Sequence, residues 1–189
     1  MRLSAPRVAP LEDAELTDEQ REALRPMSAD GRRPLNIFRT LARAPKALAR
    51  FNEWGSYVLS RRNSLPARER EILILRVGFL CKSGYEFTQH TRIGLQAGLT
   101  ADEIERIKAG ADAGWSAADA ALIRATDELV GDHFIGEATW AELGQHFTDK
   151  QRMDVVFTTG QYTQVSMILN TFGVQLDAGQ TLDPDLKGF

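Results

Sequence analysis

The chain has a single cysteine, Cys81, in 189 residues, so no disulfide can form within it and packing alone must hold the fold. It has no surplus of positive charge. Its 23 Lys and Arg face 26 Asp and Glu, for a formal net charge of −3 and a pI near 5.7. Nucleic-acid binding normally shows as a basic patch or stripe, and the one local pair, Arg61-Arg62, is too short to make one. No nucleic-acid partner is expected. No apolar run approaches the ~20 residues that cross a bilayer, and the first twenty residues lack the apolar stretch of a secretory leader. No membrane contact is expected, and the location expected is cytoplasmic. What is present, 43% hydrophobic and 26% charged residues, is ordinary globular usage. A single domain over residues 1–189 is expected, with a core at about 36–175 between an N-terminal arm and a C-terminal tail.

Helical signals run the length of the chain. The first 16 residues are aperiodic and proline-bearing, an arm that lies over a surface or reaches a neighbouring subunit. Thr17 with Gln20 three residues on is a capping box for a short helix to Leu24. Residues 28–34 read as a turn, and Asn36 is placed to cap a brief helix with Ile37, Phe38 and Leu41. Leu48, Phe51, Trp54, Tyr57 and Val58 then recur at helical spacing. Ser64 or Leu65 is the expected cap of the next helix, Ala67 to Leu80. Its charged start gives way to ILILRVGFL, a run that is ambiguous between helix and strand on its own. The helix-forming lead-in and the lack of any partner strand decide for a buried helix. Further helices follow at 85–97, at 101–109 behind the Thr100 capping box, after Ser116, around EATWAELGQHF, and from Lys150 to about Phe172. The tail after that is extended or disordered. The sum is an all-α chain of about seven helices with short, antiparallel connections. Trp54, Trp115 and Trp140 read as packing residues, and Asn170 as a side chain satisfying backbone groups at a helix contact.

The densest polar stretch is CKSGYEFTQH, residues 81–90. Glu86 and His90 are four apart, so on a helix they share a face and can relay a proton. Glu71 precedes Glu86 by 15 residues, and an antiparallel hairpin would bring it toward His90. The alternative is a solvated Glu/His pair, but the apolar helix directly before it implies burial, where unpaired ionisable groups cost several kcal/mol. Arg76, alone in the apolar run, either pairs with a carboxylate of the chain or binds an anionic ligand. Glu71, Glu86 and His90 are therefore the candidate catalytic residues, and Tyr85, Arg76 and Ser83 the candidates for substrate binding. A metal held by Glu71, Glu86 and His90 is the lesser reading, because His133 and His146 stand apart and no HExxH-like spacing occurs. Neither metal nor cofactor is expected.

The stretch LPAREREILILRVGFLCKSGYEFTQHTRIGLQAGLTADEIERI resembles the core of the carboxymuconolactone decarboxylase family, which includes the AhpD alkylhydroperoxidases. The AhpD pattern has a Glu, a Cys-x-x-Cys beginning twelve residues later, and a His four residues after the second Cys. Here Glu71 and His90 match, but Ser83 and Glu86 occupy the two cysteine positions, and Cys81 stands alone. The Tyr85, Glu86, Phe87, His90 arrangement is similar to a non-redox branch, as are GLTADEIERI and QYTQVSMILNTFGVQLD. Peroxide reduction needs one low-pKa thiolate and a second thiol to resolve the intermediate, and this chain has one cysteine. The resemblance implies an AhpD-like helical bundle, assembled as a trimer or hexamer with sites near subunit contacts. It also implies decarboxylase-like chemistry without metal or organic cofactor. The function expected is an acid–base lyase or isomerase acting on a small carboxylated or lactone-type metabolite, aromatic-derived ones included. The alternatives are peroxiredoxin-type antioxidant activity and a non-catalytic oligomer that binds small molecules.

Overall fold

The computed structural model describes residues 1–28 and 31–189, so positions 29 and 30 of the expected turn lie outside the described residues. Among the described residues there are nine α-helices and no strand: α1 Asp18–Leu24, α2 Asn36–Leu41, α3 Pro45–Leu59, α4 Ala67–Leu80, α5 Gly84–Ala97, α6 Ala101–Ala109, α7 Ala117–Gly131, α8 Glu137–His146 and α9 Asp149–Phe172. Three short 3-10 turns accompany them. Each α-helix coincides with a helical signal read singly from the sequence, the short α1 and α2 of seven and six residues included, so the expected total of about seven was an undercount.

The ILILRVGFL run is helical because α4 is the central post of the molecule. It packs against α5, α6, α7 and α9, and Ile72, Leu73, Ile74, Leu75 and Val77 are wholly buried. A helix covered on all sides has no polar face to alternate with, which is why periodicity alone could not identify it. Ile72, Leu73 and Leu75 face one core, shared with α6, α7 and α8. Ile74 and Val77 face a second, with Ile37, Val58, Tyr85, Tyr162 and Val165. A third, small core of Leu11, Leu24, Ala42 and Leu48 sits under the arm, α1, α2 and α3.

α4 and α5 form an antiparallel hairpin through the turn Cys81–Ser83, in which Lys82 takes the left-handed φ of +54° and Asn170 of α9 donates to the Cys81 carbonyl at 2.9 Å. The two helices come close at Gly78, where a Cβ would stand in ordinary contact, 3.4 Å from the Phe87 amide nitrogen and 3.6 Å from Glu86 Oε1. Asp154 of α9, wholly buried, ties the other side. It accepts from the Tyr57 hydroxyl at 2.7 Å, from the Ser64 amide at 2.7 Å and hydroxyl at 2.6 Å, and from Lys150 at 3.1 Å. Burial alone would raise the Asp154 carboxyl, but the donors of Ser64, Tyr57 and Lys150 hold it below the usual range.

The arm lies on its own chain. Arg7 and Val8 donate backbone N–H groups to the Phe172 carbonyl, and the buried Arg39 reaches the Leu11 carbonyl at 2.6 Å. The tail is extended but not loose. Leu186 is buried, and Lys108 pairs with Asp183 at 2.7 Å and Asp185 at 2.9 Å. Among the described residues, no helix is long and apolar enough to cross a membrane.

Candidate active site

Between α5 and α9, with α2 and α3 across one side, lies a cavity of about 310 Å³. Its walls are mostly apolar, with Phe38, Phe51, Leu59, Ile93, Val165 and Leu169 among them. Its polar edge comes from Glu86, Gln89, His90, Gln161 and Tyr162. Arg92, exposed, is the single lysine or arginine among the described lining residues.

The hairpin brings Glu71 and His90 together: Glu71 Oε2 lies 2.7 Å from His90 Nδ1, with both side chains buried. A carboxylate accepts and cannot donate, so it fixes the imidazole with its proton on Nδ1. That leaves Nε2 as the free nitrogen of a residue on the cavity wall. Tyr162 packs edge-on against the ring, centroids 4.9 Å apart at 86°. Burial first, and then the nearby Glu71 and Glu86 carboxyls, push its phenol well above the ordinary range, so it stays neutral.

Glu86 is 2% exposed. Its Oε2 accepts from Ser166 at 3.2 Å, and its Oε1 is buried without a hydrogen-bond partner. Burial, opposed by the Ser166 bond and helped by the charge of Glu71, holds this carboxyl well above the usual range and so favours its acid form. A base oriented by a carboxylate and a carboxyl biased toward its acid form are the two halves of an acid–base pair.

The three candidates for ligand contact fare differently. Tyr85 lines the cavity with its ring, but its hydroxyl donates to Asp177 at 2.5 Å. Arg76 is not on the lining. It makes a fork with Asp127, 2.6 and 3.0 Å, and donates to the Ile107 and Lys108 carbonyls at 2.8 and 2.9 Å. That replaces the expectation of a ligand contact with an internal ion pair between α4 and α7. Ser83, at the N-cap position of α5, is also off the lining, with its hydroxyl buried and unpartnered. Cys81 faces a different cleft, beside Ser166, Asn170 and Arg2, and burial pushes its thiol up rather than down.

Gln89, Tyr162, Ser166 and Asp177 were missed from sequence. Tyr162 read as an apolar position of the last helix, and Ser166 and Asp177 meet α5 only across 80 to 92 residues of chain. Gln89 stands between Glu86 and His90 and was visible in the motif, but nothing there gave it a partner. No group of three His, Cys, Asp or Glu side chains placed to hold a metal occurs among the described residues.

Residues 45–128 match the carboxymuconolactone decarboxylase family. Among solved structures, a peroxidase-related protein with an alkylhydroperoxidase AhpD core from Ralstonia eutropha JMP134 aligns with a TM-score of 0.78 at 19% identity, over 90% of this chain and 93% of that one. A peroxidase-related protein from Silicibacter sp. TM1040 aligns with 0.76 at 17% identity, over 94% and 92%. The debrominase Bmp8 in complex with 2,3,4-tribromopyrrole aligns with 0.73 at 10% identity, over 93% and 94%. These likenesses establish the AhpD-like helical fold. No curated protein sequence matches the chain.

Proposed function

Because residues 45–128 match the carboxymuconolactone decarboxylase family, we propose that the chain is a cofactor-independent acid–base lyase or isomerase, decarboxylase-like, that moves a proton beside a carbonyl or carboxylate of a small, largely apolar metabolite. The observation that carries this reading is His90 in the wall of an apolar cavity with Glu71, off the lining, 2.7 Å from its Nδ1. With Nδ1–H held by Glu71, the lone pair of His90 Nε2 faces the ligand as the base. Glu71 stabilises the imidazolium once the proton has moved. Glu86, biased toward its acid form, is the matching donor. A carboxylate on the metabolite meets Arg92 at the exposed edge, since Arg76 is spent on Asp127.

What speaks against the peroxidase alternative is the thiol. Cys81 is off the cavity and its pKa is raised, whereas peroxide attack needs an accessible thiolate. The reading is tested by incubating the protein in D2O with a panel of carboxylated lactones and β-keto acids, following deuterium uptake and CO2 release by NMR. Glu71→Gln and His90→Ala are expected to lower the rate about 10²-fold or more. Robust reduction of an organic hydroperoxide by wild type that disappears in Cys81→Ser, with no exchange on any of the acids, would overturn it.

A further inference from the structure

Asp177 lies in the C-terminal segment, outside the motif that carries Glu71, Glu86 and His90, yet it organises one edge of the same cavity. Its Oδ1 accepts the backbone N–H of Asn36, in the first turn of α2, at 2.9 Å. Its Oδ2 accepts both the Tyr85 hydroxyl at 2.5 Å and Gln89 Nε2 at 2.8 Å. The carboxylate is itself held in place: its backbone N–H donates to Gln180 Oε1 at 3.1 Å, and Asn36 Nδ2 donates to the Gln175 carbonyl at 3.1 Å. Tyr85 and Gln89 both line the cavity.

A carboxylate offers acceptors only. Gln89 must therefore turn its NH2 group toward Asp177, and its carbonyl oxygen stands at the other corner of the amide. That oxygen takes no hydrogen bond from the described residues and is not shut off from the cavity. Tyr85 has its one proton committed in the same way and offers the ligand its ring. We propose that Asp177 is a positioning residue that sets the hydrogen-bonding polarity of the cavity. By holding Gln89 through its NH2, it leaves a carbonyl for the ligand and so selects molecules that present an O–H or N–H at that edge of an apolar, ring-sized body. The inference rests on the cavity being the ligand site of the proposed enzyme, but not on which reaction follows.

The backbone N–H of Asn36 makes the idea testable, because it cannot reverse. In Asp177→Asn the amide oxygen stays with Asn36 and the new NH2 group takes the place of Oδ2. Gln89 then has to flip to accept from it, turning its own NH2 into the cavity. Indole and benzofuran share a shape, and only indole carries an N–H, so they serve as the probe pair, with affinities read by calorimetry. Wild type is expected to favour indole by about tenfold, the cost of one mispaired buried polar group. Folded Asp177→Asn is expected to lose or reverse that preference. Gln89→Leu, which leaves Asp177 with Tyr85 and Asn36, is a second route and should bring the ratio close to one. A wild-type chain that binds neither probe at millimolar concentration or favours neither would overturn the inference. So would either variant keeping the wild-type ratio. Affinity is read without turnover, so an inactive protein that still shows the preference would sink the enzyme reading and leave this one standing.

Discussion

A carboxyl group with almost no exposed surface, one hydroxyl as its hydrogen-bond donor and a second carboxylate nearby loses more by ionising in the folded chain than in the unfolded one. In the unfolded chain Glu86 gives up its proton near pH 4.3. Above that, the unfolded state binds fewer protons than the folded state, so stability falls as pH rises toward the raised folded value. Glu86→Gln keeps the shape and removes the titration. Near pH 4 the variant and wild type should unfold alike, while by pH 8 the variant should be the more stable by more than about 1 kcal/mol. Urea unfolding across that range checks this, and stability curves that run parallel would show that Glu86 is not held in its acid form. Burial of the Glu86 motif was readable in advance, because an apolar helix leads straight into it. The partners were not. Ser166 and Asp177 are ordinary helix and tail residues until the chain folds back across 80 residues or more. Arg76 shows the same limit from the other side, since a lone arginine in an apolar run announces a carboxylate partner without saying whether the chain or a ligand supplies it.

Local signals placed the helices well wherever the cap residue serves only its own helix. Thr17, Thr100 and Ser116 cap as their positions suggest. Asn36 and Ser64 do not, and the reason is tertiary. Asn36 gives its side chain to the carbonyls of Gln175 and Leu176, and Ser64 gives its hydroxyl to Asp154. Residue types that favour caps are equally suited to bonds with distant groups, and α2 and α4 begin with Leu35 and Pro66 at the N-cap instead. The far end of α9 supplies a test at this scale. Gly173 closes it in the left-handed region, φ +69°, and a Cβ there would come 2.9 Å from the Ala5 carbonyl oxygen of the arm. Gly188 has a similar φ of +79° and open space around it. Gly188→Ala should cost about 1 kcal/mol for the backbone conformation alone, and Gly173→Ala about 2 kcal/mol or more, since the arm must also shift. Equal losses in urea unfolding would mean that the arm does not bear on the end of α9.

At the scale of the molecule, α4, although apolar around its whole circumference, needs no help from a neighbour. The chain covers it on every side. Exposed large apolar side chains remain at several places, Trp54, Leu95 and Phe134 among them, and on α9 they line up: Met153, Val156 and Met167 are 53%, 38% and 61% exposed along one stripe, with Gly160 open between them. Large apolar side chains grouped on one helix face are a usual mark of protein contact, and closed cyclic assembly is the usual way to cover them. We expect a trimer or hexamer whose contacts include α9 and bury well over ~1,000 Å² per interface. Light scattering checks it: a species that stays near 21 kDa as concentration rises would show the stripe to be plain surface. If the assembly forms, Met167→Glu should weaken it by at least about tenfold.

Glu71 and His90 are only 19 residues apart and meet as soon as the α4–α5 hairpin folds, whereas the Asp177 contact that aligns Gln89 spans 88. On this geometry the proposed chemistry is written locally and the proposed discrimination at long range, so a change in the C-terminal segment bears on what the cavity accepts while the Glu71–His90 bond stays within its own hairpin.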